Sequence, residues 1–363
     1  MSQKQLLSVT IVTYNSGRFI RRCLESVLEQ RHPHLEVIVV DNASTDGTTD
    51  ILEHFENRCV VVYNEENIGF AGAQNQAISM SRGAWVLTLN PDVLLLPDFC
   101  THLMEVADMH PRLGTVCGKL LMMDASFQIP DQRVVDTTGI YFNPMLRHHD
   151  RGCLETDNGH FRNYEYVFGA SAAAACYRRE MIDDISVDGE FFDSDFFAYR
   201  EDADVAWRAQ LYGWTCIYTP IAFGYHVRKL RPGMRRFLPP DINMHSVKNR
   251  FLMRAKNITA GVYLRNFLPI LIRDIGILTY CLIAERSSLK AFYLFAKDWS
   301  RVMAKRRVIQ GRKRVDEAYM QKWFRFSPVS QPADVPELAT EPSSDVDNLH
   351  VNEEDTSERK LSL

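Results

Sequence analysis

Between residues 6 and 125 the chain switches repeatedly between two periodicities, and this restricts its fold more than any other feature. The β-branched runs LSVTIVTYN, EVIVVDNAS, CVVVYNEEN and AWVLTLNPD read as strands. The segments RFIRRCLESVLEQ, TTDILEHFENR and AGAQNQAISMS between them space their apolar residues as helices do. Strand–helix–strand alternation predicts an α/β fold with a mostly parallel sheet covered by helices. In such sheets ligands gather at the carboxyl ends of strands. Three of these strands end in polar clusters: Tyr14-Asn15-Ser16, Asp41-Asn42-Ala43-Ser44 and Asn90-Pro91-Asp92. The first turn, YNSGRF, has no GxGxxG to bring backbone amides onto a pyrophosphate, which removes most support for a dinucleotide-binding dehydrogenase.

Two stretches carry the candidate chemistry. In AWVLTLNPDVLLLP (residues 84–97) Asp92 is nearly alone among apolar side chains. An unpaired ionised carboxylate inside such a strand is costly, so Asp92 is expected at the strand's end facing a partner. Asn-Pro-Asp is also good turn chemistry, and a plain turn remains the alternative. The second stretch is FFDSDFFAYREDADVAWRAQLYGW (residues 191–214). Glu201 and Asp202 fall where a helix begins, a position that favours acids through the macrodipole alone. Asp204 and Arg208, at i and i+4, read as a structural ion pair. Asp202 has Phe196, Phe197, Tyr199 and Trp207 nearby to exclude water, as a base requires.

Net charge is only −4 over 363 residues, but it is unevenly distributed. Residues 1–227 hold 17 basic against 31 acidic side chains, residues 228–314 hold 21 against 4, and residues 315–363 hold 4 against 11. This predicts an acidic body, a basic segment that meets something anionic, and an acidic tail. Eight cysteines without ligand spacing read as reduced thiols of a cytoplasmic protein. MSQKQLLSVTIVTYN has no apolar core followed by a cleavage site, so no secretory signal is expected. FLPILIRDIGILTYCLIAE (residues 267–285) is interrupted by Arg273 and Asp274, too early to cross a bilayer of about 30 Å. The expected divisions are 1–125, 126–227, a basic helical region 228–326, and a disordered acidic tail 327–363, rich in Pro, Ser and acids.

The motifs VTIVTYNSG, VVDNASTDGT, NEENIGFAGAQNQAI, LTLNPDV, FFAYREDADVAWR and GWTCIYTPIAFGYH stand in the order and near the spacing of family 2 inverting glycosyltransferases of the GT-A fold. The chain resembles that family over about residues 8–257, most closely bacterial rhamnosyltransferases of polysaccharide assembly. Its EDAD block is also similar to that of galactofuranosyltransferases.

The resemblance implies a nucleotide-diphosphate sugar donor and a divalent metal, Mg2+ or Mn2+, that offsets leaving-group charge. Asn90-Pro91-Asp92 occupies the place of the family's Asp-x-Asp, with Asp92 as metal ligand. Asn90, a neutral amide, departs from the pattern and implies weak metal binding without nucleotide. His226 matches a position that completes the metal site. Asp41 matches a carboxylate that contacts N3–H of a pyrimidine, with Thr13, Tyr14, Asn15 and Asn42 around it. Asn67, Gly69 and Asn75 match the loop and helix start near the ribose and diphosphate. Asp202 matches the general base, with Glu201 as fallback.

The implied reaction is transfer of one sugar, with dTDP-rhamnose as the first donor, to a saccharide or lipid-linked acceptor. The processive Gln-x-x-Arg-Trp signature is missing; QKWFR (residues 321–325) has the wrong order. Alternatives are UDP-galactofuranose or a UDP-hexose as donor, and a catalytically silent sugar-nucleotide-binding scaffold. No nucleic-acid module accompanies the basic segment. An anionic membrane surface, met peripherally from the cytoplasmic side, explains both its charge and its apolar runs. The alternative is a helical cap on the catalytic body. Arg228, Lys229, Arg231, Arg235 and Arg236 are the expected membrane-facing cations. Oligomeric state is open.

Overall fold

The computed structural model describes residues 5–107, 109, 111–228 and 239–332. Its first half alternates as the periodicities require: β1 (Leu7–Thr13), α1 (Ile20–Leu28), β2 (Leu35–Asp41), α2 (Thr48–Glu53), β3 (Val60–Tyr63), α3 (Gly69–Met80) and β4 (Trp85–Leu89). β1 is buried throughout, which is why LSVTIVT is nearly unbroken in apolar and small residues. α1 buries Ile20, Cys23, Leu24 and Val27, one stripe at i, i+3, i+4 and i+7.

The chain continues through β5 (Val93–Leu95), α4 (Phe99–Ala107), β6 (Leu113–Met123), β7 (Val135–Thr137), β8 (Ile140–Phe142), β9 (His148–Asp150) and β10 (Glu165–Val167). Then follow β11 (Ala174–Arg178), α5 (Arg179–Ile185), α6 (Glu201–Leu211) and β12 (Thr215–Val227). One large sheet runs in the order β10-β12-β6-β11-β4-β1-β2-β3. The pairs β3–β2, β2–β1, β1–β4 and β6–β12 are parallel, and β11 runs against both β4 and β6. The sheet crosses residue 125 without a break, so residues 1–125 and 126–227 share one layer. After β3 the chain returns to the other side of β1, and this reversal opens a crevice at the carboxyl ends of β1 and β4.

Helices α7 (Pro240–Asn257), α8 (Ala260–Arg265), α9 (Phe267–Ile283), α10 (Lys290–Lys297) and α11 (Trp299–Gly311) follow. They are not a detachable appendage. Lys256 of α7, 1% exposed, lies between Asp193 and Asp204, 3.1 Å from the latter. Lys305 of α11 adds a second cation on Asp193 at 2.7 Å and reaches Asp195 at 2.9 Å. Burial opposes ionisation of Asp193, yet Lys256 and Lys305 hold its carboxyl well below the usual range. The expected Asp204–Arg208 pair is present at 2.9 Å, fully buried. Asn257 also donates to Asp204.

α9 presents Leu268, Leu271, Ile272, Ile275, Leu282 and Ile283 between 40% and 77% exposed. No helix among the described residues is long and apolar enough to cross a membrane. The eight cysteines are all free thiols. Of the expected cation cluster, Lys229, Arg231, Arg235 and Arg236 lie outside the described residues, as does most of the acidic tail. Arg228 does not face outward: it is a part-buried ion-pair partner of Asp136 and Asp150, so it cannot serve a membrane surface.

Candidate active site

Asp92 sits in the turn between β4 and β5, at the rim of the crevice. Its backbone carbonyl accepts from Val227 N–H at 3.0 Å, which ties the turn to the end of β12. The same pairing brings His226, the next-to-last residue of β12, to 3.4 Å between Nε2 and Asp92 Oδ1. The sequence-expected metal ligands therefore meet, although 134 positions apart would not predict it from local structure. Asn90 lies in the same turn, its N–H donating to the Ala173 carbonyl.

Behind His226 is a residue the sequence reading missed. Asp136 of β7, buried, accepts from Nδ1 of His226 at 2.8 Å and from Arg228. Arg228 in turn donates to Asp150 at 2.6 Å. Burial disfavours charge on His226, but Asp136 and then Asp92 overcome it and hold its pKa up at about 10. Asp136 stands in RVVDTTGIYF, an isolated acid in an apolar run, the same signal that singled out Asp92.

The two carboxylates of α6 differ in environment. Asp202 Oδ1 accepts from Ala203 N–H at 2.7 Å and Oδ2 from Ala172 N–H at 3.3 Å. The small residues of GASAAAACYRR permit this approach of α6: a Cβ on Gly169 would lie 2.2 Å from the Ala206 Cβ. Beside Asp202 the enclosed space is about 10 Å³, lined in part by Tyr177, Gln210 and Trp214, no more than one water needs. Burial, and next the charge of Asp150, raise Asp202 to about 6 against the pull of the two amides and Arg200. Glu201 is more deeply buried, and its Oε2 meets no hydrogen-bond partner among the described residues. Burial and the Asp202 charge push Glu201 well above the usual carboxylate range. Two neighbouring acids whose environments push them apart leave Asp202 as the one ionised at neutral pH.

Asp202 and the Asp92–His226 pair are joined electrostatically. Asp150, which raises Asp202, is bonded to Arg228, Arg228 to Asp136, and Asp136 to His226. Tyr199, 38% exposed, is held above the usual phenol range by burial and by the charges of Glu201 and Asp92. Of the aromatic residues expected to wall the base, Phe196 and Trp207 are wholly in the core.

The remaining candidates line the ends of β1 and β2. Thr13 and Asp41 are registered partners, and Thr13 Oγ1 donates to Asp41 Oδ1 at 2.8 Å. Ser44 adds its N–H and hydroxyl to the same carboxylate. Asn15, at φ 49°, accepts from Thr45 N–H, while the Tyr14 ring stands 52% exposed. Asn42 donates to the Gly69 carbonyl and accepts from Asn64. Asn67 caps Gly69 N–H at 2.9 Å. Asn75 is engaged differently: its amide bonds both N–H and carbonyl of Phe192, which braces α3 against the segment before Asp193.

No three His, Cys, Asp or Glu side chains among the described residues are grouped to hold a metal ion by themselves. Asp92 and His226 fit a hard or borderline divalent cation only as part of a set that donor oxygens complete.

Residues 8–185 match the sequence model of the family described as glycosyl transferase family 2. The putative teichuronic acid biosynthesis glycosyltransferase TuaG of Bacillus subtilis (strain 168) is 47% identical over 92 residues, 24% of this chain and 36% of that protein. The putative glycosyltransferase EpsH of the same organism is 25% identical over 203 residues, 53% of this chain and 55% of that protein. The matched stretches thus span about half or less of these relatives. In fold, the mannosyltransferase PcManGT of Pyrobaculum calidifontis, solved with GDP-Man and Mn2+, aligns at a TM-score of 0.50 and 18% identity, covering 88% of this chain and 86% of that one. Residues 8–185 are thus similar to glycosyl transferase family 2, and the fold is the α/β GT-A arrangement of the solved neighbour.

Proposed function

We propose that the protein is an inverting glycosyltransferase of bacterial polysaccharide or cell-envelope assembly, moving one sugar from a nucleotide-diphosphate donor to a saccharide or lipid-linked acceptor. The observation that carries this reading is the pairing of Asp92 with His226 at one end of a charge chain whose other end, Asp150, adds to burial in raising Asp202. Asp202 takes the acceptor hydroxyl proton as the hydroxyl oxygen bonds to the anomeric carbon. The carbon–oxygen bond to the diphosphate breaks, and its electron pair leaves with the diphosphate. One displacement inverts the configuration, without a covalent sugar–enzyme stage.

Asp92 and His226, the latter giving up its Nε2 proton, would hold a divalent cation, which would supply charge neutralisation for the departing diphosphate. Asp136 fixes the imidazole through Nδ1, leaving Nε2 toward Asp92. The exposed Tyr14 ring offers a stacking face for the base, with Asp41 below it as hydrogen-bond acceptor for N3–H and Thr13, Asn15 and Asn42 setting its surroundings. Asn67, Gly69 and Asn75 shape the loop and helix end against which ribose and diphosphate lie.

dTDP-rhamnose is the first donor to test, then UDP-galactofuranose and UDP-hexoses, because thymine and uracil share the N3–H edge. The apolar stripe of α9 supports a peripheral seat on an anionic membrane, where lipid-linked acceptors reside. The test is release of nucleoside diphosphate from these donors with Mn2+ or Mg2+, followed by the anomeric configuration of the product by NMR. Donor binding without release by the unaltered protein would instead favour the silent scaffold.

A further inference from the structure

The segment from Asp193 to Arg200 connects the donor-side end of α3 with the carboxylates that open α6. Three of its residues, Phe197 (φ 63°), Tyr199 (φ 72°) and Arg200 (φ 75°), hold positive φ without being glycine. Phe197, with ψ −65°, is the apex of a γ-turn of the rarer, strained hand, closed by Ala198 N–H donating to the Phe196 carbonyl at 2.7 Å. Its carbonyl accepts from Ala71 N–H in the first turn of α3 at 3.2 Å. Gly69 makes room for it, since a Cβ there would come within 2.7 Å of that carbonyl oxygen. The strained turn therefore touches the donor loop on one side and leads directly into Glu201 and Asp202 on the other.

Such geometry persists only where its surroundings over-determine it. Here the restraint comes from α7. Asn249, wholly buried, directs its side-chain NH2 at three carbonyls of this segment: Phe196 at 2.8 Å, Ala198 at 2.8 Å and Tyr199 at 2.9 Å. One turn earlier His245 stacks on the Phe197 ring, centroids 5.1 Å apart. Lys248 donates to the Asp195 carbonyl at 2.6 Å. A neutral double donor suits the place: aspartate would set a charge against three carbonyl oxygens, and leucine would take this donor from the Ala198 and Tyr199 carbonyls and leave Phe196 only the γ-turn bond.

We propose that Asn249 is a positioning residue for glycosyl transfer, gathering three loop carbonyls so that Asp202 is held in fixed register with the donor-side end of α3. The C-terminal helices are then part of the catalytic apparatus in addition to any role at a membrane. The proposal rests on the reading of Asp202 as the base.

Asn249→Leu keeps the size and removes the donors, and Asn249→Ser keeps one short donor. Both are measured in the full-length protein with Mn2+, as nucleoside diphosphate release from dTDP-rhamnose, UDP-galactofuranose and UDP-glucose. The expected result for Asn249→Leu is a fall in kcat of about ten- to a hundredfold, the range for misplacing a reacting group by about an ångström, with a smaller fall for Asn249→Ser and little change in donor KM. The acidic limb of kcat/KM, near pH 6 in the unaltered protein from the Asp202 environment, should move down by about one pH unit as a loosened loop admits water. The groups facing Asp202 are Asp150 from β9, Tyr177 from β11, Arg200 and Glu201, and the amides of Ala172 and Ala203, none of them substituted.

A merely structural role would lower the melting temperature and scale the rate with the folded fraction while leaving the limb in place. That outcome, or unaltered turnover by either folded variant, overturns the proposal. Asp202→Asn measured alongside separates the two claims. If it turns over normally the base assignment fails; if it is inactive and the Asn249 limb stays put, only the positioning role fails.

Discussion

Replacing Asp202 by asparagine should make the protein less active and, at alkaline pH, more stable. The raised pKa means that the folded state favours the protonated carboxyl. The stabilising contribution of this group is fully present below about 3.8, its ordinary value, and is lost as pH rises through about 6. Two units correspond to roughly 3 kcal/mol, at 1.36 kcal/mol per unit, between low pH and pH 8. Asparagine is neutral throughout and avoids that loss. It also has one acceptor oxygen where the aspartate uses two, toward Ala203 and Ala172, which costs about 1 kcal/mol. Relative to the unaltered protein, Asp202→Asn should therefore gain about 1–2 kcal/mol at pH 8 and lose about 1 kcal/mol near pH 4. At about 2–4 °C per kcal/mol for a chain of this order of size, the melting temperature should rise by a few degrees at pH 8, and the two curves should cross between these pH values. Transfer should fall by roughly a hundredfold or more with donor binding retained. Differential scanning fluorimetry across pH, with product release on the same samples, reads both effects. A variant less stable at every pH by the same margin would mean that the carboxylate is not desolvated, and the physical case for Asp202 as base would collapse.

Asp92→Ala should abolish most turnover and the extra thermal stabilisation that Mn2+ gives with a nucleoside diphosphate, His226→Ala doing so less severely; full activity in excess chelator would refute the metal assignment. Lys256→Ala strips a cation from between Asp193 and Asp204 in the core, so urea unfolding should show a loss of about 3–5 kcal/mol. Truncation after residue 257 also removes Lys305 from Asp193 and should yield little folded protein, a result that recovery of a soluble, donor-binding fragment would contradict. Leu271→Asp with Ile275→Asp should stop flotation with anionic liposomes while leaving donor hydrolysis intact; unchanged flotation would move the membrane contact away from α9.

The parallel half of the fold was legible because both of its periodicities are local. A buried parallel strand must be apolar on both faces, and α1 must place Ile20, Cys23, Leu24 and Val27 on one side, so the pattern is written within a few residues. Asp92 was legible for the same reason, as a charge that an apolar strand could not keep. The turn it occupies was readable in Asn-Pro-Asp, but His226 beside it was expected only through the family resemblance, since it arrives from β12 through hydrogen bonds between distant segments. Arg228 shows the limit most plainly. As the first of a run of cations it reads as a surface charge, and only the placement of β7 and β9 turns it inward between Asp136 and Asp150. Asn249 carried no signal at all in a basic helix, because the three carbonyls it gathers belong to a loop fifty residues earlier whose positive φ angles are imposed by packing. By itself the sequence determined which segments could be strands and helices and which acids were too costly to leave alone. The tertiary structure alone decided which charges neutralise one another, since burial and Coulomb energy depend on distances through space that spacing along the chain does not contain.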